Sequence, residues 1–235
     1  MGQHLLGFPS FEAALAATAL IRHKISGVDA IEVFFAEGLD LVCAQTGLPP
    51  PFVNRCDTYL LVEVSGSGDQ LSELASVVDQ AQSVVASALA SDRPGRDRLW
   101  AYRERHTEAI NAEGIPHKLD VTLPFGRLAE FRSRVAETLS THTGTRSILF
   151  GHVGDGNLHV NVLGPDADDS RANADILQLA AEMGGSISSE HGIGVAKVDY
   201  LELTRTAKDI GWMRGLKQAM DPRYLLNPGV IFPVE

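Results

Sequence analysis

Apolar and polar positions along the chain change period repeatedly, and each change marks the end of one element and the start of another. Residues 5–8 are a short apolar run that reads as a strand. Ser10 then caps a helix to about residue 23, with Glu12 placing negative charge in its first turn. Residues 30–35 are rich in β-formers, and a helical stretch follows to about residue 45. The Gly-Leu-Pro-Pro-Pro run at 47–51 belongs in a loop, because no helix interior or central strand tolerates it. Alternation over 59–64 predicts another strand, and Asp69 opens a long helix through about residue 90.

Residues 91–98 are polar and turn-rich, and a helix over 99–113 follows. A strand at 118–123 stops at Pro124, and 126–141 is helical. Two strands, 148–153 and 158–163, flank Gly-Asp-Gly-Asn at 154–157, whose Asp-Gly pair signals a tight turn. A helix over 172–183 leads into a Gly/Ser-rich segment at 184–194. Two short helices and an Asn-Pro-Gly tail at 227–229 close the chain. This order predicts an α+β fold. The expected core is an antiparallel or mixed sheet with helices mainly on one face and ferredoxin-like elements, with a small helical appendage at the C-terminal end. The expected division falls between 1–195 and 196–235. The sequence shows no internal repeat.

Composition narrows the function. The chain has 235 residues, 44% hydrophobic and 21% charged, as a globular protein with a sizeable core should. A net charge of −10 disfavours nucleic acid as the main partner, which calls for a basic face. Cys43 and Cys56 form no CxxC pair, so a reducing compartment and buried thiols are expected. With no apolar run of roughly 18–20 residues, no membrane span is expected. With no basic segment ahead of an apolar one at the N-terminus, no signal peptide is expected.

Candidate chemistry concentrates in three places. In the strand over 158–163, His159 and Asn161 share one face while Leu158, Val160 and Val162 share the other. That is the pattern of a strand with its back in a core and its front in a cavity. The hairpin brings His152 near His159, and glycines at 151, 154 and 156 leave room for something to approach the backbone. The plainer alternative is a solvent-facing hairpin with incidental histidines. The second place is Ser-Ser-Glu-His-Gly-Ile-Gly at 188–194, which suits a tight loop presenting Glu190 and His191 together, or alternatively a simple N-cap turn. Histidines and a glutamate together make a divalent metal site plausible chemistry, although the spacing matches no short metal motif. The third is Arg103 and Thr107, four apart on a helix, with Lys118 on the strand that follows. Such a set can grip a carboxylate, or it can be a solvated basic face.

Other motifs fail. Gly66-Ser-Gly68 has Leu71 where a dinucleotide fingerprint wants glycine, and neither a Walker A sequence nor a Gly-x-Ser-x-Gly elbow occurs. His4, His23, His106, His117 and His142 fall in no constellation, and structural or surface places are expected for them.

Three stretches in order resemble one family: Gly-His-Val-Gly-Asp-Gly-Asn-Leu-His-Val-Asn at 151–161, Ser-Glu-His-Gly-Ile-Gly at 189–194 with Lys197, and Asp-Pro at 221–222 with Leu-Asn-Pro-Gly at 226–229. Over nearly its whole length the chain resembles the C-terminal substrate, or cap, portion of the FAD-linked oxidases of the vanillyl-alcohol oxidase type. Within them it is most similar to the D-2-hydroxyglutarate dehydrogenase, D-lactate dehydrogenase and glycolate oxidase branch.

The resemblance implies oxidation of a D-2-hydroxy acid to the 2-oxo acid. It also implies FAD, and His152, His159 and Glu190 as ligands of a divalent metal, zinc or manganese. His191 would be the base, with Asn161 touching the substrate. Arg103, Thr107 and Lys118 would hold its carboxylate, and Asn227 would run near the flavin. The family's FAD domain and its Pro-Gly-Gly-Gly-type loop have no counterpart here, so the chain is expected to be a fragment or a separately encoded half, inactive alone. The missing FAD domain is then a partner, packing against 196–235, and a homodimer is a further assembly to expect. A bacterial cytoplasm is the expected compartment, or an organelle if a targeting sequence lies upstream. Two alternatives stay open: a non-catalytic metal-binding module or subunit, and a metal-dependent hydrolase using the same residues.

Overall fold

The computed structural model describes residues 2–66, 69–81, 83–166 and 168–233. Ser67 and Gly68 of the incomplete dinucleotide motif lie outside them. Among the described residues, seven strands make one sheet in the order β4-β1-β3-β2-β6-β7-β5. They are β1 (Gly2–Phe8), β2 (Val28–Phe35), β3 (Thr58–Val64), β4 (Ala86–Ala90), β5 (His117–Thr122), β6 (Arg146–His152) and β7 (Asn157–Leu163). Every neighbouring pair is antiparallel, so the α+β expectation holds and the sheet contains no parallel pair among its named strands.

Helices α1 (Phe11–Lys24), α3 (Gln70–Gln80), α6 (Leu128–Ser140) and α7 (Arg171–Glu182) cover one face and enclose the larger apolar core. Helices α2 (Ala36–Thr46), α4 (Arg93–Glu104) and α5 (His106–Glu113) cover the other face over a smaller core. The Ser10 hydroxyl caps α1 by accepting from the Ala13 N–H at 3.3 Å, which leaves Phe11, Ala14, Leu15, Thr18 and Ile21 on the buried stripe.

The topology is duplicated. In the first half, β1-α1-β2, β3-α3-β4 pair in the order 4-1-3-2, the split βαβ arrangement of ferredoxin-like folds, with α2 inserted between β2 and β3. In the second half, β5-α6-β6-β7-α7 repeats it. Its fourth strand is reduced to one antiparallel bridge between Ser186 and Thr122 on the outer edge of β5. The halves join where β2 pairs with β6, with Glu32 opposite His152.

Three sequence-based boundaries need correction. The helix expected over 69–90 ends at Gln80, and 86–90 is edge strand β4 beside β1. Ala-Ser-Ala-Leu-Ala has high helix propensity and little side-chain pattern, and the free edge of β1 decides its conformation. The turn expected over 91–98 is the start of α4, where Asp92 accepts from the Gly95 N–H at 3.2 Å and Pro94 sits in the first turn, as prolines can. The single helix expected over 99–113 is two, broken at Arg105.

Two histidines that the sequence assigns to no constellation are buried in the sheet and the smaller core. Burial pulls His4 down to about 4. Burial, with Arg103 beside it, pulls His106 down to about 3. Both lie below the unfolded value of about 6.5. The unfolded chain therefore binds the extra protons, and stability falls as pH drops from about 6.5 towards 3–4. The slope should approach about 1.4 kcal/mol per pH unit for each histidine. Urea melts from pH 7 to pH 4 should show this loss, and His106→Phe should flatten it; an unchanged slope in that variant would contradict the assignment.

Candidate active site

The site is built across the sheet on the face carrying the smaller core. In β7 the leucine and valines at 158, 160 and 162 fill the larger core, so His159 and Asn161 face the other way, as alternation requires. Pairing then sets their neighbours: His159 lies between Phe150 of β6 and Asp120 of β5, and Asn161 lies between Ile148 and Lys118. Gly151 and Gly156 of the hairpin admit neighbouring backbone, whereas Gly154 meets only the Ile31 side chain. A Cβ at Gly151 would strike the Asn157 carbonyl oxygen, and one at Gly156, where φ is +75°, would strike the Leu123 carbonyl oxygen.

Three ligand atoms converge. His152 Nε2 lies 3.4 Å and His159 Nε2 3.5 Å from Glu190 Oε1. One ligand atom from each of these three residues falls within 4.8 Å of the others. The two imidazoles meet edge to face, with centroids 5.3 Å apart. Each turns its other nitrogen towards a buried carboxylate: His152 Nδ1 is 2.6 Å from Glu32 Oε1, and His159 Nδ1 is 3.6 Å from Asp120 Oδ1. The Glu32 contact raises the affinity of His152 for its proton. Burial pulls His159 down to about 4, which leaves it neutral at pH 7. Two imidazole nitrogens and a carboxylate oxygen, with one imidazole neutral and the other hydrogen-bonded from behind, suit a borderline divalent cation.

The loop carrying Glu190 and His191 is not a helix N-terminus. It is gathered on one acceptor: the backbone N–H groups of Ser189, Glu190 and His191 donate to Asp120 Oδ2 at 3.0, 2.8 and 3.0 Å. Burial would raise the Asp120 carboxyl, but the N–H groups of His191 and Glu190 and the nearby histidines outweigh it and hold the group below the usual carboxylate range. Lys197 Nζ donates to the Asp120 carbonyl oxygen at 3.3 Å from the other side. His191 stacks on His159, with centroids 5.6 Å apart.

A cavity of about 330 Å³ adjoins these groups, lined by Arg103, Thr107, Lys118, Asn161, His159, Glu190 and His191 among others. Despite the helix break at Arg105, Arg103 and Thr107 reach the same cavity. The Arg103 guanidinium lies 4.4 Å from the Phe150 ring centroid, and its Nε donates to Glu32 Oε2 at 2.7 Å. Asn161 Nδ2 donates to the Ile148 carbonyl oxygen at 3.2 Å. Asn227 is elsewhere: with φ +47° it lines a separate cavity of about 260 Å³ with Arg214, Lys217 and Phe232.

Two residues of this site were not among the sequence candidates, Glu32 and Asp120. Each is an acid set between two apolar strand neighbours, Ile31 and Val33 for Glu32 and Leu119 and Val121 for Asp120, and each is almost wholly buried. That was the available signal, because a buried carboxylate must have partners.

The profile of the family described as FAD linked oxidases, C-terminal domain, matches residues 4–231. A D-2-hydroxyglutarate dehydrogenase of Xanthomonas citri pv. viticola is 36% identical over a 242-residue alignment, which covers 97% of this chain and 50% of that protein. The mitochondrial D-2-hydroxyglutarate dehydrogenase of Bos taurus is 33% identical, covering 97% and 43%. A D-lactate dehydrogenase of Anaerostipes hadrus is 34% identical, covering 74% and 39%. The chain thus spans about half the length of the relatives that it matches. Among solved structures, an alkyldihydroxyacetonephosphate synthase superposes with a TM-score of 0.61 at 13% identity, over 97% of this chain and 43% of that one, a likeness of fold. Profile, relatives and architecture agree, and the chain belongs to the FAD-linked oxidases as their C-terminal domain.

Proposed function

We propose that this chain is the substrate side of an FAD-dependent dehydrogenase that oxidises a D-2-hydroxy acid to the 2-oxo acid. The observation that carries the reading is one cavity lined by His159 and Glu190 of the three-residue cation site, by the His191 imidazole and by two cationic side chains, Arg103 and Lys118. His152, His159 and Glu190 would hold zinc or manganese. A cation held there would supply Lewis acidity towards the substrate hydroxyl, and FAD would supply a hydride acceptor. Arg103 and Lys118 bind the substrate carboxylate, with Thr107 and Asn161 beside them, so that the α-carbon is held in one orientation. His191 receives the hydroxyl proton on an imidazole nitrogen. Two cations on one cavity accommodate a dicarboxylate such as 2-hydroxyglutarate, and smaller hydroxy acids also fit.

A flavin domain supplied elsewhere in the protein also accounts for the C-terminal segment, 196–235. Its helix α8 (Ala207–Met220) has no buried residue, and Trp212, Leu216, Met220, Leu225 and Leu226 are all exposed. An apolar surface of that kind wants a partner, and we assign it to the FAD domain, with Asn227 on the same segment turned towards the flavin. This favours the dehydrogenase over the flavin-free hydrolase. No helix among the described residues is long and apolar enough to cross a membrane, and Cys43 and Cys56 are free thiols, as a reducing compartment permits.

The test is a screen of D- and L-2-hydroxy acids with the full-length, flavin-loaded protein and a dye acceptor. Reduction with D-acids, lost on chelation and restored by zinc or manganese, is expected. Reduction with none of them would overturn the dehydrogenase reading and leave a binding module.

A further inference from the structure

We propose that Glu32 is a positioning residue through which cation binding and substrate-carboxylate binding are set by one carboxylate. The inference rests on the roles proposed above for His152 and Arg103. Glu32 is the polar residue of β2 on the site face, since Ile31 and Val33 on either side point into the larger core. Register places it directly opposite His152. Its two oxygens are used separately: Oε1 is 2.6 Å from His152 Nδ1, and Oε2 accepts from Arg103 Nε at 2.7 Å. At 3% exposure it has little water to help it, so these two partners carry its charge.

An ionised carboxylate only accepts hydrogen bonds. It therefore holds the His152 proton on Nδ1 and leaves the Nε2 lone pair facing Glu190, the orientation that a ligating imidazole needs. The same group holds Arg103 by its inner nitrogen, so the two outer nitrogens remain for the substrate carboxylate. The two sites are thus oriented from a common point, and neither can lose Glu32 alone.

An amide cannot do both tasks. In Glu32→Gln, if the oxygen faces Arg103, the NH2 faces His152 Nδ1 and selects the tautomer with a proton on Nε2, which cannot ligate. If the oxygen faces His152, the NH2 opposes the Arg103 N–H, and Arg103 must move. Volume and fold are kept either way, so one function or the other fails.

The experiment uses the full-length, FAD-loaded protein. Zinc and manganese affinities are measured by competition with a chromophoric chelator, and KM for the best D-2-hydroxy acid is measured separately. Glu32→Gln is expected to weaken cation binding by about 10–100-fold or to raise KM by about 10–100-fold with cation affinity intact. A variant with both quantities unchanged overturns the proposal whatever its melting temperature, because a merely structural role would move only the melting temperature. The double change Glu32→Gln/Arg103→Met frees the amide oxygen for His152. Its cation affinity should match wild type while KM stays raised, and weakened cation binding there would overturn the idea independently of how the single variant folds. A wild-type protein that binds neither metal would instead overturn the site reading on which this inference stands, and the inference with it.

Discussion

Replacing His191 by alanine in the full-length flavoprotein should lower turnover by about 10²–10⁴-fold, the range supplied by a positioned proton acceptor. Cation affinity should change little, because His191 stands outside the set formed by His152, His159 and Glu190. Its Nε2 is 3.9 Å from Glu190 Oε1 and its Nδ1 4.0 Å from Asp120 Oδ2, so neither ring nitrogen is committed to a short hydrogen bond. The ring is 58% exposed, yet it is held by stacking on His159 and by the loop backbone beneath it. A nitrogen that is oriented but not consumed can take a substrate proton. Steady-state kinetics together with chelator competition would check both halves. Near-wild-type kcat in the variant would remove His191 from the base role, and a lost cation would place it among the ligands.

Half of this site was legible in the sequence because strand alternation is a local rule. Once 158–162 reads as a strand, His159 and Asn161 must share a face with the cavity and Val160 must not. The hairpin brings in His152 by the same logic. What was not legible is non-local. The acceptor that shapes the Glu190–His191 loop is Asp120, about seventy residues away, and nothing in the loop's own residues announces it. Glu32 joins His152 only through the β2–β6 pairing that unites the two halves of the sheet. The duplication itself was hidden, because the halves repeat a path through space without repeating residues, and the last strand of the second half has shrunk to the bridge at Ser186. Strand β4 was misread for the opposite reason: its alanines carry a strong local preference that the edge of β1 overrides.

Removing that distant anchor should have the second large effect. Asp120→Ala takes away an acceptor shared by three successive N–H groups and by Asn157 Nδ2, which donates to Oδ1 at 3.1 Å. The side chain is 1% exposed, so water does not replace it without opening the loop. Hydrogen bonds to an ionised acceptor are each worth about 1.5–3 kcal/mol, and these four are too close together to add. A loss of about 2–4 kcal/mol at pH 7 is expected. The sign with pH follows from the depressed carboxyl: its contribution is full above the unfolded carboxylate pKa and disappears as pH falls through the lower folded value. The gap between wild type and variant in urea melts should therefore close in acid, and a gap that stays constant would show that the charge is not what holds the loop. Turnover should fall by about 10–100-fold, because Glu190 and His191 lose their common reference to His159. Asp120→Asn separates the two consequences. One amide oxygen can still accept the three N–H groups, so much of the stability should return. Its NH2 then opposes Asn157 Nδ2, a donor that the carboxylate accepts and an amide nitrogen cannot, and lies near His159 Nδ1, so cation affinity should fall below wild type, as in Asp120→Ala. Full recovery of cation affinity in that variant would mean that the loop hydrogen bonds alone matter and that the approach of Asp120 to His159 has no part in the site.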